Sequence, residues 1–342
     1  MRLTIKDIAA LAGVSKTTIS FAFNDPSKIS RDTYQRIMAI AEREGYVPDP
    51  VARTMTTKRV GAIGVLLPQA IQETFRNPYV AEVLRGIGMV CHQEDLFLTI
   101  LPPVNGFLVQ AVRNAAVDGF IALGVEAAPD IADLIRQRHV PFVTIDGDAD
   151  LGIVNVGIDD AAAAETAMDY MLSRGHTRIA VLALRADGPG PAEERSSHTG
   201  DRRLTGMDRA LRARGLSLDG PSLYVRPVAA TMEAAAEAAV ELMASVAPTA
   251  FVCLSDTAAL GVYQACRSLG KRIPADVSVS GMDDIPTALL MDPPLTTIRQ
   301  PGVQKGSYAA RAIIDLLQGR PAASVLLPTD LVVRASVGAP PA

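Results

Sequence analysis

The stretch LTIKDIAALAGVSKTTISFAFND, residues 3–25, sets two short helical patterns about Gly13. Thr4 can cap the first helix, and Asp7, three residues on, completes a capping box. Ile5, Ile8, Ala9, Leu11 and Ala12 then recur at helical spacing as one apolar stripe. Gly13 suits the left-handed position that ends a helix. Ser15 can cap the second helix, whose Ile19, Ala22 and Phe23 would pack inward. Lys16, Thr17, Ser20, Phe21 and Asn24 share the other face through i, i+4 spacing. A third helix fits residues 31–44, capped by Ser30 and ended by Gly45, with Ile37, Ile40 and Ala41 inward.

Two helices about a glycine turn, closed by a third, match the helix-turn-helix plan, whose second helix enters the major groove by its N-terminal end. A three-helix bundle with no DNA role is the alternative that this order leaves open. The next stretch, DPVARTMTTKR at 49–59, speaks against it. Asp49 is a good N-cap and Pro50 a good first helical residue. Only about seven residues of helix can follow, too few to hold alone in water. Arg53, Lys58 and Arg59 suit phosphates, and Met55 is an apolar residue on a polar segment. Such residues can wedge open a minor-groove base step; a plain linker is the competing reading.

Charge is divided along the chain. Residues 1–60 hold ten Lys/Arg against six Asp/Glu, a balance of +4; the other residues hold 23 against 31, a balance of −8. A basic head on an acidic body suggests that only the head meets a polyanion. The 342 residues, 49% of them hydrophobic, suffice for more than one core. Cys91, Cys253 and Cys266 show neither disulfide nor metal-ligand spacing, and no apolar run approaches a membrane span. With no signal peptide evident, a cytoplasmic location is expected. No metal motif, phosphate loop or nucleophile elbow is present, and GAIGV at 61–65 lacks the third glycine of a dinucleotide fingerprint. Neither cofactor nor metal is expected.

From Val60 the pattern changes. VGAIGVLLP, LFLTILP, GFIALG and PFVTID are apolar runs separated by helix-length segments, and RIAVLAL, LYVRPV, AFVCLS and VSVSGMD form a second set. These read as buried parallel strands of βαβ units in two doubly wound halves. Ligands of such sheets bind outside the carboxyl ends of the strands, here a cleft between halves. Polar residues stand at those ends: Asp146, Asp159, Ser255, Asp256, Asp283 and Gln300, with Thr199 and Arg203 after the polar loop RADGPGPAEERSSHTGDRR. Each could instead be a helix cap or a surface ion pair, Asp159 and Asp256 above all.

On TIKDIAALAGVSKTTIS and GYVPDPVAR, the chain resembles the lactose/purine repressor (LacI/GalR) family, and the likeness runs through nearly its whole length. The resemblance implies an α/β protein: an N-terminal helix-turn-helix head and a two-lobed doubly wound parallel-sheet body of the periplasmic-binding-protein type. The expected divisions are a DNA-binding head at 1–48, a hinge helix and linker at 49–59, and an effector-binding and dimerisation body at 60–342. The N-lobe would take 60–157 and 291–322, the C-lobe 158–290 and 323–342, with crossings near 158, 290 and 323. By the same resemblance, Lys16, Thr17 and Phe21 fall at base-reading positions, and Ser15 and Asn24 nearer phosphates. Thr4, Ser20, Ala52 and Arg53 complete the expected DNA-contacting set, with Met55 as wedge. Phe21 departs from the polar or basic residue of many relatives; it cannot hydrogen-bond a base and could at most touch a thymine methyl. Tyr79, Asp146, Thr199, Arg203, Ser255, Asp283 and Gln300 become expected effector contacts.

The implied function is sequence-specific transcriptional regulation, as a repressor controlled by a small molecule, a carbohydrate or related metabolite. The expected partners are a near-palindromic double-stranded operator, the effector and a second copy of the chain. The chain's last residues carry no heptad pattern, so a dimer is expected rather than a tetramer. A transporter's solute-binding protein or a sugar-acting enzyme are the rival readings; the basic head and the lack of an evident export signal argue against the first, and no marked acid/base pair among the scattered carboxylates supports the second.

Overall fold

The computed structural model describes residues 3–49, 54–55, 58–67, 71–103, 108–124, 129–147, 152–185 and 197–341. Residues 1–60 and 61–342 form separate compact units.

The first unit holds α1 (Ile5–Ala12), α2 (Lys16–Asn24) and α3 (Arg31–Arg43). Thr4 donates its backbone N–H to Asp7 Oδ2 at 2.8 Å and its hydroxyl to the same oxygen at 2.7 Å, so local bonds fix the first turn. Gly13 takes φ +64°, a conformation that costs a side-chain-bearing residue energy. Ser15 accepts from the Thr18 N–H and Ser30 from the Thr33 N–H, capping α2 and α3. Ile8, Ala9, Ala12, Ile19, Ala22 and Ile37 make the core, with Phe23 and Ile40 packed on it. Leu11, expected in the stripe, is 51% exposed. With Ile8, Ala9 and Ala12 inward, a turn of about 100° per residue carries position 11 past the edge of the buried face.

The second unit contains two six-stranded sheets. The first sheet uses β1 (Ala62–Leu66), β2 (Phe97–Leu101), β3 (Gly119–Leu123), β4 (Phe142–Ile145), β5 (Val154–Ile158) and β11 (Val325–Leu327). Its order is β11-β5-β4-β3-β1-β2, parallel throughout. The second sheet uses β6 (Ile179–Leu184), β7 (Leu223–Val228), β8 (Ala250–Cys253), β9 (Ser278–Asp283), β10 (Thr296–Arg299) and β12 (Asp330–Val332). Its order is β12-β10-β9-β8-β6-β7, with only β12 antiparallel. In each sheet the chain starts inside and winds both ways, so the order reverses beside β1 and beside β6, where a doubly wound sheet opens its binding crevice.

Helices α4 (Ile71–Arg76), α5 (Pro78–Gln93), α6 (Leu108–Asn114) and α7 (Pro129–Gln137) connect the strands of the first sheet. Helices α8 (Asp160–Ser173), α9 (His198–Arg212), α10 (Met232–Ser245) and α11 (Asp256–Ser268) accompany the second, and α12 (Gly302–Leu317) packs against α5, β3, β4 and β5. The chain passes from one sheet to the other after Ile158, after Arg299 and after Leu327. The second and third passages differ from the expected 290 and 323. β10 pairs in register with β9, which assigns residues 296–299 to the second lobe, and β11 pairs with β5, which assigns residues 325–327 to the first. A short strand such as TTIR carries no mark of the sheet it joins; pairing decides it.

One close approach fixes the neighbourhood of the cleft. A Cβ on Gly86 would lie 2.0 Å from the Val303 carbonyl oxygen, and one on Gly306 would lie 2.1 Å from that of Val83. The backbones of α5 and α12 therefore meet where neither carries a side chain.

Candidate functional site

Two candidate surfaces were expected, one in each unit. In the first, α2 buries Ile19 and Ala22 and turns Lys16, Thr17 and Asn24 to solvent, with Ser20 and Phe21 half-buried at the margin. Asn24 Nδ2 donates to Ser20 Oγ at 3.2 Å. Thr4 and Ser15 are exposed at the starts of their helices, and both hydroxyls also serve as cap groups. Among the hinge residues, Met55 is 80% exposed, and the Lys58 N–H donates to the Thr54 carbonyl at 2.8 Å, one turn of helical bonding. Ala52 and Arg53, together with Pro50, lie outside the described residues. So do residues 186–196 of the long polar loop.

In the second unit, strand ends and adjoining helices bring Tyr79, Asp146, Thr199, Arg203, Asp283 and Gln300, but not Ser255, into two linked hydrogen-bonded arms. Tyr79, in the first turn of α5, donates its hydroxyl to Asp146 Oδ2 at 2.8 Å. Asp146 follows β4 at φ +56°. Its other oxygen accepts from Lys305 Nζ at 2.6 Å. Lys305 also donates to Tyr79 Oη at 2.9 Å and to Gln300 Oε1 at 2.7 Å. Gln300 passes the chain on, donating Nε2 to Asp283 Oδ1 at 2.7 Å. All three N–H bonds of the ammonium thus have acceptors, which is what allows Lys305 to sit at 0% exposure.

A second arm runs through the arginines. Asp160 accepts from Arg203 Nε at 2.9 Å through one oxygen and from Arg202 through the other. Arg203 also donates to the Leu254 carbonyl at 2.6 Å, beside Ser255. Arg202 reaches the Asp146 carbonyl at 3.2 Å and Thr199 Oγ1 at 3.3 Å, which links the arms. Burial disfavours the Asp160 charge, but the guanidiniums of Arg203 and Arg202 outweigh it and hold its pKa below the ordinary value. Asp283 goes the other way. Burial and the neighbouring Asp256 carboxylate raise its pKa, and Arg203 and Lys305 offset only part of that rise. Burial, then the Asp146 carboxylate, pushes the Tyr79 phenol well above its usual range, so it remains a donor.

Ser255 is buried and its Oγ accepts from the Ala258 N–H, the cap of α11. Asp159 likewise caps α8 by accepting from the Ala162 N–H. Asp256 braces the second lobe, accepting from the Ile285 N–H at 2.9 Å and from Thr297 Oγ1 at 2.6 Å. Sequence reasoning missed Lys305, Asp160 and Arg202. The stretch QKGSYAARAIIDLL, which also holds Arg311 and Asp315, gave no signal that set Lys305 apart.

Among the described residues there is no group of three or more His, Cys, Asp or Glu side chains placed to hold a metal ion, and no helix long and apolar enough to cross a membrane.

Comparison with known proteins agrees with the two-part fold. Residues 4–49 match the model for bacterial regulatory proteins of the lacI family, and residues 168–337 match the periplasmic binding protein-like domain. An HTH-type transcriptional regulator of Mycobacterium tuberculosis is 31% identical, over 100% of this chain and 98% of its own length. The HTH-type transcriptional repressor CytR of Escherichia coli is 31% identical, over 99% of this chain and 97% of its own. Among solved structures, the complex of the transcriptional regulator CelR with cellobiose superposes with a TM-score of 0.70 at 26% identity, covering 98% of this chain and 100% of that one. The chain belongs to the LacI family of bacterial DNA-binding transcriptional regulators.

Proposed function

We propose that this regulator acts in the cytoplasm as a homodimeric repressor, without enzymatic activity, and that a small polyhydroxylated metabolite bound between its lobes controls its grip on a near-palindromic operator. The observation that carries the effector reading is the polar chain Tyr79–Asp146–Lys305–Gln300–Asp283 joining the two lobes at their strand ends. It offers carboxylates to accept from hydroxyls, and an amide and a guanidinium to donate to them, the mixture that directional recognition of a carbohydrate uses. The complex of CelR with cellobiose supports the carbohydrate class. Tyr79, Asp146, Arg203, Asp283 and Gln300 are the contacts this reading favours; Lys305 holds Tyr79, Asp146 and Gln300 in place, and Ser255 and Thr199 serve it as a helix cap and as a partner of Arg202.

The DNA-reading face is assigned to Lys16, Thr17, Ser20 and Phe21, with Thr4, Ser15, Asn24 and Arg53 toward phosphates and Met55 as the wedge. One head reads few base pairs; two on a symmetric dimer multiply the discrimination. Effector and operator then change each other's affinity by the same factor, roughly 5–150-fold for a coupling of about 1–3 kcal/mol.

The test is to incubate the full chain with sheared genomic DNA at physiological salt and sequence what is retained, with and without a panel of sugars and polyols. A recovered near-palindrome whose retention changes with one of the compounds is the expected result. A recovered site indifferent to every compound would remove the carbohydrate reading, and absence of any specific site would remove the operator reading.

A further inference from the structure

Phe21 is the bulkiest group on the solvent margin of α2, and it has no hydrogen-bonding atom beyond its backbone. Its polar neighbours Ser20 and Asn24 bond to each other, not across the ring. The ring is also held from outside its helix. Pro26–Lys28 forms a single 3-10 turn after α2, closed by the Lys28 N–H donating to the Asp25 carbonyl at 3.2 Å. That turn sets the Lys28 ammonium 5.2 Å from the centre of the Phe21 ring and 3.4 Å from Asp25 Oδ2. The Ser27 hydroxyl, bonded to Asp25, and then the Lys28 ammonium keep the Asp25 carboxyl below its ordinary pKa, so the anion beside Lys28 persists. The result is an apolar plate with a cation held over its ring. Both flanks of the Lys28–Asp25 pair are exposed, and such pairs exchange partners at little cost.

An apolar plate in the major groove discriminates in one direction. Thymine alone offers a methyl group there; guanine, adenine and cytosine present donors and acceptors that a ring would desolvate without replacing their bonds to water. We propose that Phe21 reads the 5-methyl group of one thymine in each operator half-site, and that Lys28, a residue outside the expected contact set, orients the ring and takes the phosphate flanking that base. This rests on the assignment of α2 as the DNA-reading helix. Burying one methyl group corresponds to about a fourfold change in affinity.

The experiment removes the methyl group from the DNA, so it does not depend on a variant folding. High-affinity duplexes are selected from a random library by the full chain, and each thymine of the selected site is then replaced singly by deoxyuridine, which keeps every hydrogen-bonding group. One position in each half-site should weaken binding by about fourfold, and both together by about fifteenfold. Phe21→Leu should retain part of that sensitivity and Phe21→Ala none, while Phe21→Arg should select guanine at the same position. Lys28→Gln should lower the salt dependence by about one counterion per head and reduce, without abolishing, the sensitivity at the Phe21 thymine. A selected site indifferent to uracil at every position overturns the methyl reading and leaves α2 as the reader. Sensitivity that survives in Phe21→Ala moves the methyl contact to another residue, and an unchanged salt dependence in Lys28→Gln removes its phosphate. Failure to select any site overturns the assignment of α2 itself.

Discussion

The head and the cleft reach polar satisfaction in opposite ways. Between Thr4 and Thr33 the side-chain hydrogen bonds join residues two to four positions apart, and they lie at the surface. In the cleft, Tyr79 meets Asp146 across 67 positions, Lys305 meets Asp146 across 159, and Lys305 meets Tyr79 across 226. The head's polar groups shape three helices and leave a face free. The cleft's polar groups are internal, and each depends on a chain segment placed by another element. Damage to one should therefore stay local in the head and spread in the body.

The largest effect expected is at Lys305. Lys305→Met leaves the buried Asp146 carboxylate without its cation, and breaking a buried pair in this way costs about 3–5 kcal/mol. Chemical denaturation followed separately in the two units should show the loss in residues 61–342, with the head's transition unmoved. Adding Asp146→Asn should recover much of it; a single variant as stable as the parent would break the contrast. In the head, Ile19→Ala removes the centre of a small core and should cost about 3 kcal/mol. Fluorescence or circular dichroism of the isolated transitions should find the body unaffected.

What was legible in the sequence follows the same division. The caps at Thr4, Ser15 and Ser30, the turn at Gly13 and the inward set of α2 could be read because their partners lie within one helical turn. Strands such as AIGVL and GFIAL could be read because both faces are buried and the run is continuous. Sheet membership could not, since the pairing of β10 with β9 is written nowhere in TTIR. Asp146, Asp283 and Gln300 were visible as polar residues at strand ends. Lys305 was not, because a lysine inside a helix is ordinarily solvated and only the fold shows that this one meets Tyr79, Asp146 and Gln300.

Smaller effects sharpen the contrast. Ser15→Ala deletes the cap of α2 and should cost the head about 1 kcal/mol, read as a lower midpoint of its transition. Asp283→Asn keeps an oxygen for the Gln300 amide and removes a titration. A carboxyl whose pKa is raised by folding contributes fully at low pH, and its contribution is lost as pH rises through the folded pKa. The melting temperature of Asp283→Asn should therefore gain on the parent's with rising pH, by about 2 °C or more between pH ~5 and ~9. His176 works in the other sense. It is buried against Thr249, Ser278 and the Gly338 carbonyl, and burial lowers its pKa. Neutral His176 stabilises the body above the ordinary histidine pKa, and that stability is lost as pH falls below about 6.5. His176→Gln should flatten this acid limb in a melting series without touching the head.

The glycine contact between α5 and α12 has a consequence for how this regulator can change its ligand. Gly86 and Gly306 let two backbones touch, and Tyr79 and Lys305 ride on those two helices. They form one rigid jaw. If the effector binds at this cluster as proposed, a lineage that acquires a new one cannot slide one of these residues against the other. It must exchange the side chains in place, or do its remodelling on the opposing jaw, where Arg203 and Asp283 hang from separate elements that can drift independently.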